Sequence, residues 1–150
     1  MAVSKKDFFF VGLQLALFAA YLFEVPLFDL EVPEQINFLH LAFAVFGTFI
    51  VGLGMLQLNK NLSPFPTPKK DSALITSGLF KYVRHPIYTG ILIAAFFLAF
   101  YLHSGYKFIV FLLLLILFYY KSKYEEKALL QKFPEYESYK ANTGRFIPKF

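Results

Sequence analysis

The stretch 36–58 restricts this chain more than any other feature, because it carries no Asp, Glu, Lys or Arg. At roughly 23 residues it is long enough to cross the hydrocarbon core of a bilayer as a slightly tilted helix. Three further apolar blocks accompany it, at 8–25, 87–102 and 106–120. The apolar residues come as blocks, not at an amphipathic spacing, and bring the chain to 57% hydrophobic with mean hydropathy +0.53. A soluble core of this size does not need such runs. The expected fold is therefore an all-α integral membrane protein, one domain over 1–150, with four transmembrane helices and a pocket at its cytoplasmic face. The fourth helix meets no Pro or Gly between Tyr120 and Pro134, so it is expected to leave the membrane and continue to about residue 132.

Polar residues then orient the bundle. Lys5 and Lys6 precede the first block, which has no small-x-small cleavage site and reads as an anchored helix, not a signal peptide. That flank, residues 59–86 and the segment beyond Tyr120 carry two, five and seven Lys or Arg, whereas the intervening connections carry none and one (Lys107). This is the positive-inside pattern of a multi-pass protein with both termini cytoplasmic. The formal charge of +5 accordingly points to membrane lipids and not to nucleic acid, since the basic residues flank apolar spans. With no Cys, neither a disulfide nor a thiolate metal site is available, and no metal site is expected. Trp is absent while Tyr occurs 10 times, so interfacial positions fall to Tyr119, Tyr120 and Tyr124. Small residues at four-residue spacing (Gly12, Ala16, Ala20; Ala44, Thr48, Gly52) suggest helix-packing stripes. His40, near the acidic-loop end of its block, reads as an interhelical or snorkelled histidine. Pro64, Pro66 and Pro68 predict an extended run, either a linker or a strap over the mouth of the bundle.

The chemistry concentrates in residues 74–90, LITSGLFKYVRHPIYTG. Lys81, Arg84 and His85 stand directly against an apolar block, and Pro86 sits where a helix start accepts proline. Gly78 permits a tight turn, and Gly90 leaves room for a close approach. Across a helical hairpin, the extension of the fourth helix brings Lys121, Glu125 and Glu126 to the same side of the membrane, with Lys121 and Glu125 on one helix face.

Together, L-I-T-S-G-L-F-K-Y-V-R-H-P-I-Y-T-G and a second signature resemble the isoprenylcysteine carboxyl methyltransferases and the related phospholipid methyltransferases. The second signature comprises Glu125-Glu126, Phe133, Tyr136, Tyr139 and Arg145-Phe146-Ile147-Pro148. The resemblance covers roughly residues 62–150 and implies S-adenosyl-L-methionine as donor, with S-adenosyl-L-homocysteine as product. It places cofactor contacts on Ser72, Ala73, Leu74, Ile75, Phe80, His85, Pro86, Ile87, Tyr88 and Glu125, and catalytic roles on Arg84, Lys121 and Glu126. Arg84 and His85 at a helix start suit a carboxylate. Glu125 suits an ammonium or ribose hydroxyls, and Phe80, Tyr82 and Tyr88 offer faces to a purine or sulfonium. Phe80 stands where the family often has Tyr. Lys121 stands where the prenylcysteine enzymes carry an Arg on the substrate carboxylate, and a point charge is not a bidentate fork. The implied acceptor is lipophilic or prenylated. A phospholipid amine or a small apolar thiol or carboxylate are alternatives; with an amine, His85 or Glu126 would take the proton. The rival of another class is a four-helix scaffold with a basic tail.

Overall fold

The computed structural model describes residues 3–149. Five helices follow in order: α1 (Lys5–Leu22), α2 (Glu34–Leu58), α3 (Pro86–Tyr101), α4 (Gly105–Lys132) and α5 (Tyr136–Asn142). Among the described residues there are no strands, only two isolated bridges. Two helical stretches, Glu34–Asn61 and Gly105–Lys132, are long and apolar enough to cross a membrane. α3 is shorter, about 24 Å at 1.5 Å per residue. Large apolar side chains stand exposed along α1 and α2, among them Phe8, Phe9, Leu15, Phe38, Phe46 and Phe49. So much apolar surface is untenable in water and natural in lipid.

α2 packs on α3, α3 on α4, and α4 on α1. The α2–α3 seam is set by two glycines. A Cβ on Gly47 would sit 2.6 Å from the Ala94 nitrogen, and one on Gly90 would sit 2.6 Å from the Gly47 carbonyl oxygen. Gly90 thus admits a neighbouring backbone, that of α2. The expected small-residue stripes pack only in part: Ala44 is buried, but Cβ atoms on Gly12 or Gly52 would meet nothing within 4 Å. α1 uses a different face, with Leu17, Phe18 and Tyr21 against a core of Leu92, Ala95, Val110, Leu114 and Phe118. Both faces of such a helix are apolar, and the stripe of smaller residues was the less informative one.

α1 starts at residue 5, ahead of the apolar block, because Ser4 and Asp7 form a capping box. α4 starts at Ser104, whose hydroxyl accepts from the Lys107 N–H at 3.2 Å. His40 makes no interhelical hydrogen bond through Nδ1, which is buried without a partner among the described residues. Its ring stacks on Phe100, centroids 5.7 Å apart. α5 has no counterpart in the sequence expectations; it lies after Pro134, where the long helix has stopped.

Candidate active site

The run before α3 is shaped by one turn. Gly78 has φ +61°, and a Cβ there would fall within 2.7 Å of the Gln57 side-chain atoms. Only glycine serves at that angle and in that space. Gln57 Oε1 in turn accepts from the Leu79 N–H at 3.0 Å, which ties the turn to α2. The chain then enters α3 with His85 at the N-cap and Pro86 just inside.

From there the C-terminal segment clamps the motif. The Arg84 N–H donates to the Gly144 carbonyl at 2.8 Å, and the His85 N–H donates to the Arg145 carbonyl at 3.1 Å. The Thr89 hydroxyl donates to the Phe146 carbonyl at 2.9 Å. From α5, the Tyr139 hydroxyl donates to the Phe80 carbonyl at 2.6 Å; burial pushes this phenol up to about 12, so it stays a donor at neutral pH.

Two adjacent carboxylates on α4 have separate fates. Glu126 is buried and accepts from Arg84 Nε at 3.0 Å and from Arg145 Nη2 at 3.0 Å, with Lys140 Nζ at 3.3 Å. His85 Nε2 lies 3.3 Å from the same carboxylate. Glu125, one residue back, accepts from the Tyr88 hydroxyl at 3.0 Å, and His85 Nδ1 lies 3.8 Å away. The imidazole therefore stands between both carboxylates, and Nε2 carries its proton toward Glu126. Successive helix residues point about 100° apart, which sends one glutamate to the clamp and the other to open space.

That space is a cavity of about 530 Å³. Arg84 and His85 line it from just ahead of α3, Pro86, Ile87 and Tyr88 from the first turn of α3, Lys121 and Glu125 from α4, and Phe80 with Ser72, Ala73, Leu74 and Ile75 from the preceding segment. Arg84 and Lys121 of the three residues expected to be catalytic thus reach the wall. Glu126 does not line it; its oxygens are spent on the clamp. Tyr82 is exposed, not on the wall, and the Tyr88 ring stacks on both His85 and Phe118 (5.4 and 4.6 Å). Tyr88 accordingly brings a hydroxyl and an edge to the site, where an open face was expected.

Residues 61–69 line the cavity as well, so the proline run is a strap and not a detached linker. Asp7 holds it: the Thr67 N–H and hydroxyl donate to Asp7 Oδ1 at 3.0 and 2.8 Å. Lys132 holds its far end through the Lys70 carbonyl at 2.9 Å and the Ser72 hydroxyl at 2.7 Å. Lys121 is fully buried, its ammonium donating to the Pro64 carbonyl at 2.9 Å and to Gln14 Oε1 at 2.5 Å. Gln14 and Phe18 of α1 also line the cavity. Both escaped the sequence reading, although a lone amide inside an apolar helix was a usable signal.

A sequence model of the isoprenylcysteine carboxyl methyltransferase (ICMT) family matches residues 40–131, more than half of the chain. The chain belongs to this family. The match begins inside α2, further toward the N-terminus than the motif resemblance, and ends before Arg145. Among curated relatives, the protein-S-isoprenylcysteine O-methyltransferase of Schizosaccharomyces pombe is 31% identical over 112 residues, which are 72% of this chain. The chain spans about half (48%) of the length of that relative.

Proposed function

We propose that this membrane protein transfers a methyl group from S-adenosylmethionine to a lipophilic acceptor. The observation that carries the reading is the single cavity lined by His85 and Glu125 together with residues 72–75 and Phe80. Family membership supports the same reading. The bundle crosses the membrane four times, with the strap, His85 and Glu125 on the cytoplasmic side, in line with the distribution of Lys and Arg.

When bound, S-adenosylmethionine supplies an electrophilic methyl on a sulfonium, and its departure leaves S-adenosylhomocysteine. The protein's contribution is alignment and exclusion of water. Glu125 takes the donor's ammonium or ribose hydroxyls, held in place by the Tyr88 hydroxyl. Residues 72–75 and Phe80 hold the remainder. Glu126, Arg84 and Arg145 act through His85: they fix its ring and tautomer and lock the C-terminal clamp. Any proton released by the acceptor goes to His85 or Glu125, since Glu126 has no oxygen facing the cavity. Lys121 meets the acceptor's head, and the acceptor's apolar tail lies toward α1 and α2, which lack close packing on each other.

Calorimetric titration of the detergent-solubilised protein with S-adenosylhomocysteine tests this. Binding is expected, and Glu125→Ala should weaken it while the protein stays folded. Absence of binding in a folded sample would leave only a basic-tailed helical scaffold. Transfer of labelled methyl to lipid extracts and to prenylcysteine analogues then identifies the acceptor.

A further inference from the structure

The strap between α2 and α3 is tied to itself at its neck. The Asn61 side-chain amide pairs with both backbone groups of Ala73. Its Nδ2 donates to the Ala73 carbonyl at 3.3 Å, and its Oδ1 accepts from the Ala73 N–H at 3.3 Å. Lys69 Nζ adds a bond to the Lys60 carbonyl at 2.8 Å. Residues 61–73 thereby form an Ω-loop, a surface loop whose two ends meet. Just ahead of the neck, Asn59 ends α2 with φ +44°, a left-handed turn that redirects the chain.

Beyond the neck the loop has two sides. Lys69 and Lys70 are exposed, Pro66 and Thr67 are buried, and residues 61–69 line the cavity. The loop therefore stands between the cavity and water. Pro64, Pro66 and Pro68 hold the tip extended and leave it without N–H groups at alternate positions. From residue 63 to 68 no backbone–backbone hydrogen bond forms among the described residues, so side chains of other elements hold the tip. Asp7 accepts from the Thr67 N–H and hydroxyl at 3.0 and 2.8 Å. The Phe8 ring meets the Phe65 ring edge-on, centroids 5.2 Å apart, and Lys121 Nζ donates to the Pro64 carbonyl at 2.9 Å. A stiff tip on a few side-chain contacts, behind a self-tied neck, can lift as one piece.

We propose that residues 61–73 are a lid that swings about the Asn61–Ala73 neck, with Asp7 and Phe8 of α1 as its latch. The latch sets how fast the methyl donor enters and its product leaves. The identity of what passes rests on the methyltransferase reading; the motion rests on the loop's own contacts. Neither Asp7 nor Phe8 lines the cavity, and both precede the stretch matched by the family. A latch differs from a binding contact in one measurable way. It closes alike over an empty and a filled cavity, so loosening it speeds entry and exit equally and leaves affinity alone.

The test follows labelled S-adenosylhomocysteine into and out of the detergent-solubilised protein. Asp7→Asn should speed association and dissociation about fivefold each, and Phe8→Ala about threefold. The dissociation constant should stay within about twofold in both, which also verifies the fold. Because the chain has no Cys, Phe8→Cys with Phe65→Cys can be joined by a short, reducible bifunctional thiol reagent. Joining should slow both rates about tenfold or more against the unjoined double variant, and reduction should restore them. Unchanged rates in Asp7→Asn, faster dissociation with association unaltered, or free exchange in the joined protein would each overturn the lid. If the unaltered protein does not bind S-adenosylhomocysteine, the methyltransferase reading falls, and hydrogen exchange judges the lid by itself. The Phe65 and Thr67 amides should then exchange at one shared rate that rises in Asp7→Asn, with the Ala73 amide unchanged; unrelated rates would overturn it.

Discussion

α4 buries two lysines, Lys107 near its start and Lys121 four turns later on nearly the same face, and their surroundings differ in kind. Lys107 donates to the Tyr21 and Phe23 carbonyls at 2.7 and 2.8 Å, and Glu24 stands 3.3 Å away. It closes the last turn of α1, where the orphan carbonyls are, and its charge is matched. Lys121 has two neutral acceptors and a cavity beside it. The first lysine completes the end of a helix; the second ties α1 and the strap to α4 and borders the cavity. A buried charge therefore tells little about its purpose until its partners are counted.

This contrast is broken most directly at Lys107. Lys107→Ala leaves two carbonyls at the end of α1 without their donor and should lower unfolding stability by about 2–3 kcal/mol, measured by denaturant unfolding in detergent, with S-adenosylhomocysteine affinity of the folded fraction unchanged. Lys121→Met should do the reverse. Stability should change by less than about 1 kcal/mol, since the loss of two hydrogen bonds is offset by no longer burying an ammonium, while turnover of the acceptor falls about tenfold or more. Equal destabilisation by both substitutions would erase the distinction. Glu125→Gln keeps the Tyr88 contact but removes the charge, and should weaken S-adenosylhomocysteine about tenfold in calorimetry with little effect on unfolding.

The smallest effect concerns the strap. Burial works against the Asp7 charge, but hydrogen bonds from Ser4 and Thr67 outweigh it and hold the carboxyl below its usual 3.8. Asp7 precedes the apolar part of α1. Because the folded value is depressed, the latch contributes fully above about pH 4 and is lost as pH falls through the lower folded value. Asp7→Asn should mimic that loss at neutral pH, costing about 1 kcal/mol locally, seen as faster hydrogen exchange at the Thr67 amide. Unchanged exchange would mean that Lys121 and Lys132 hold the strap without Asp7.

Much of the site was legible because its residues are unusual where they stand. Charged and imidazole groups against apolar blocks, as at Arg84-His85 and Lys121-Glu125-Glu126, have few reasons to be there. Asp7 and Ser4 could have been read as a capping box. The strap's two possible lives could not be separated, since the Asp7–Thr67 bond joins residues 60 positions apart.

The apolar blocks, the grouping of basic residues beside them and the chemical character of the candidate site residues followed from the sequence alone, because lipid and water sort residues by transfer free energy one at a time. Which face of each helix met its neighbour did not follow. Lipid and protein are equally apolar, so the hydrophobic period that marks a buried face in water is flattened. Tertiary structure alone sent Glu126 to the clamp and Glu125 to the cavity, brought Gln14 to Lys121, and turned Gly47, not Gly52, toward Gly90. Each of these is a choice among directions around a helix axis, and only the packed neighbours make it.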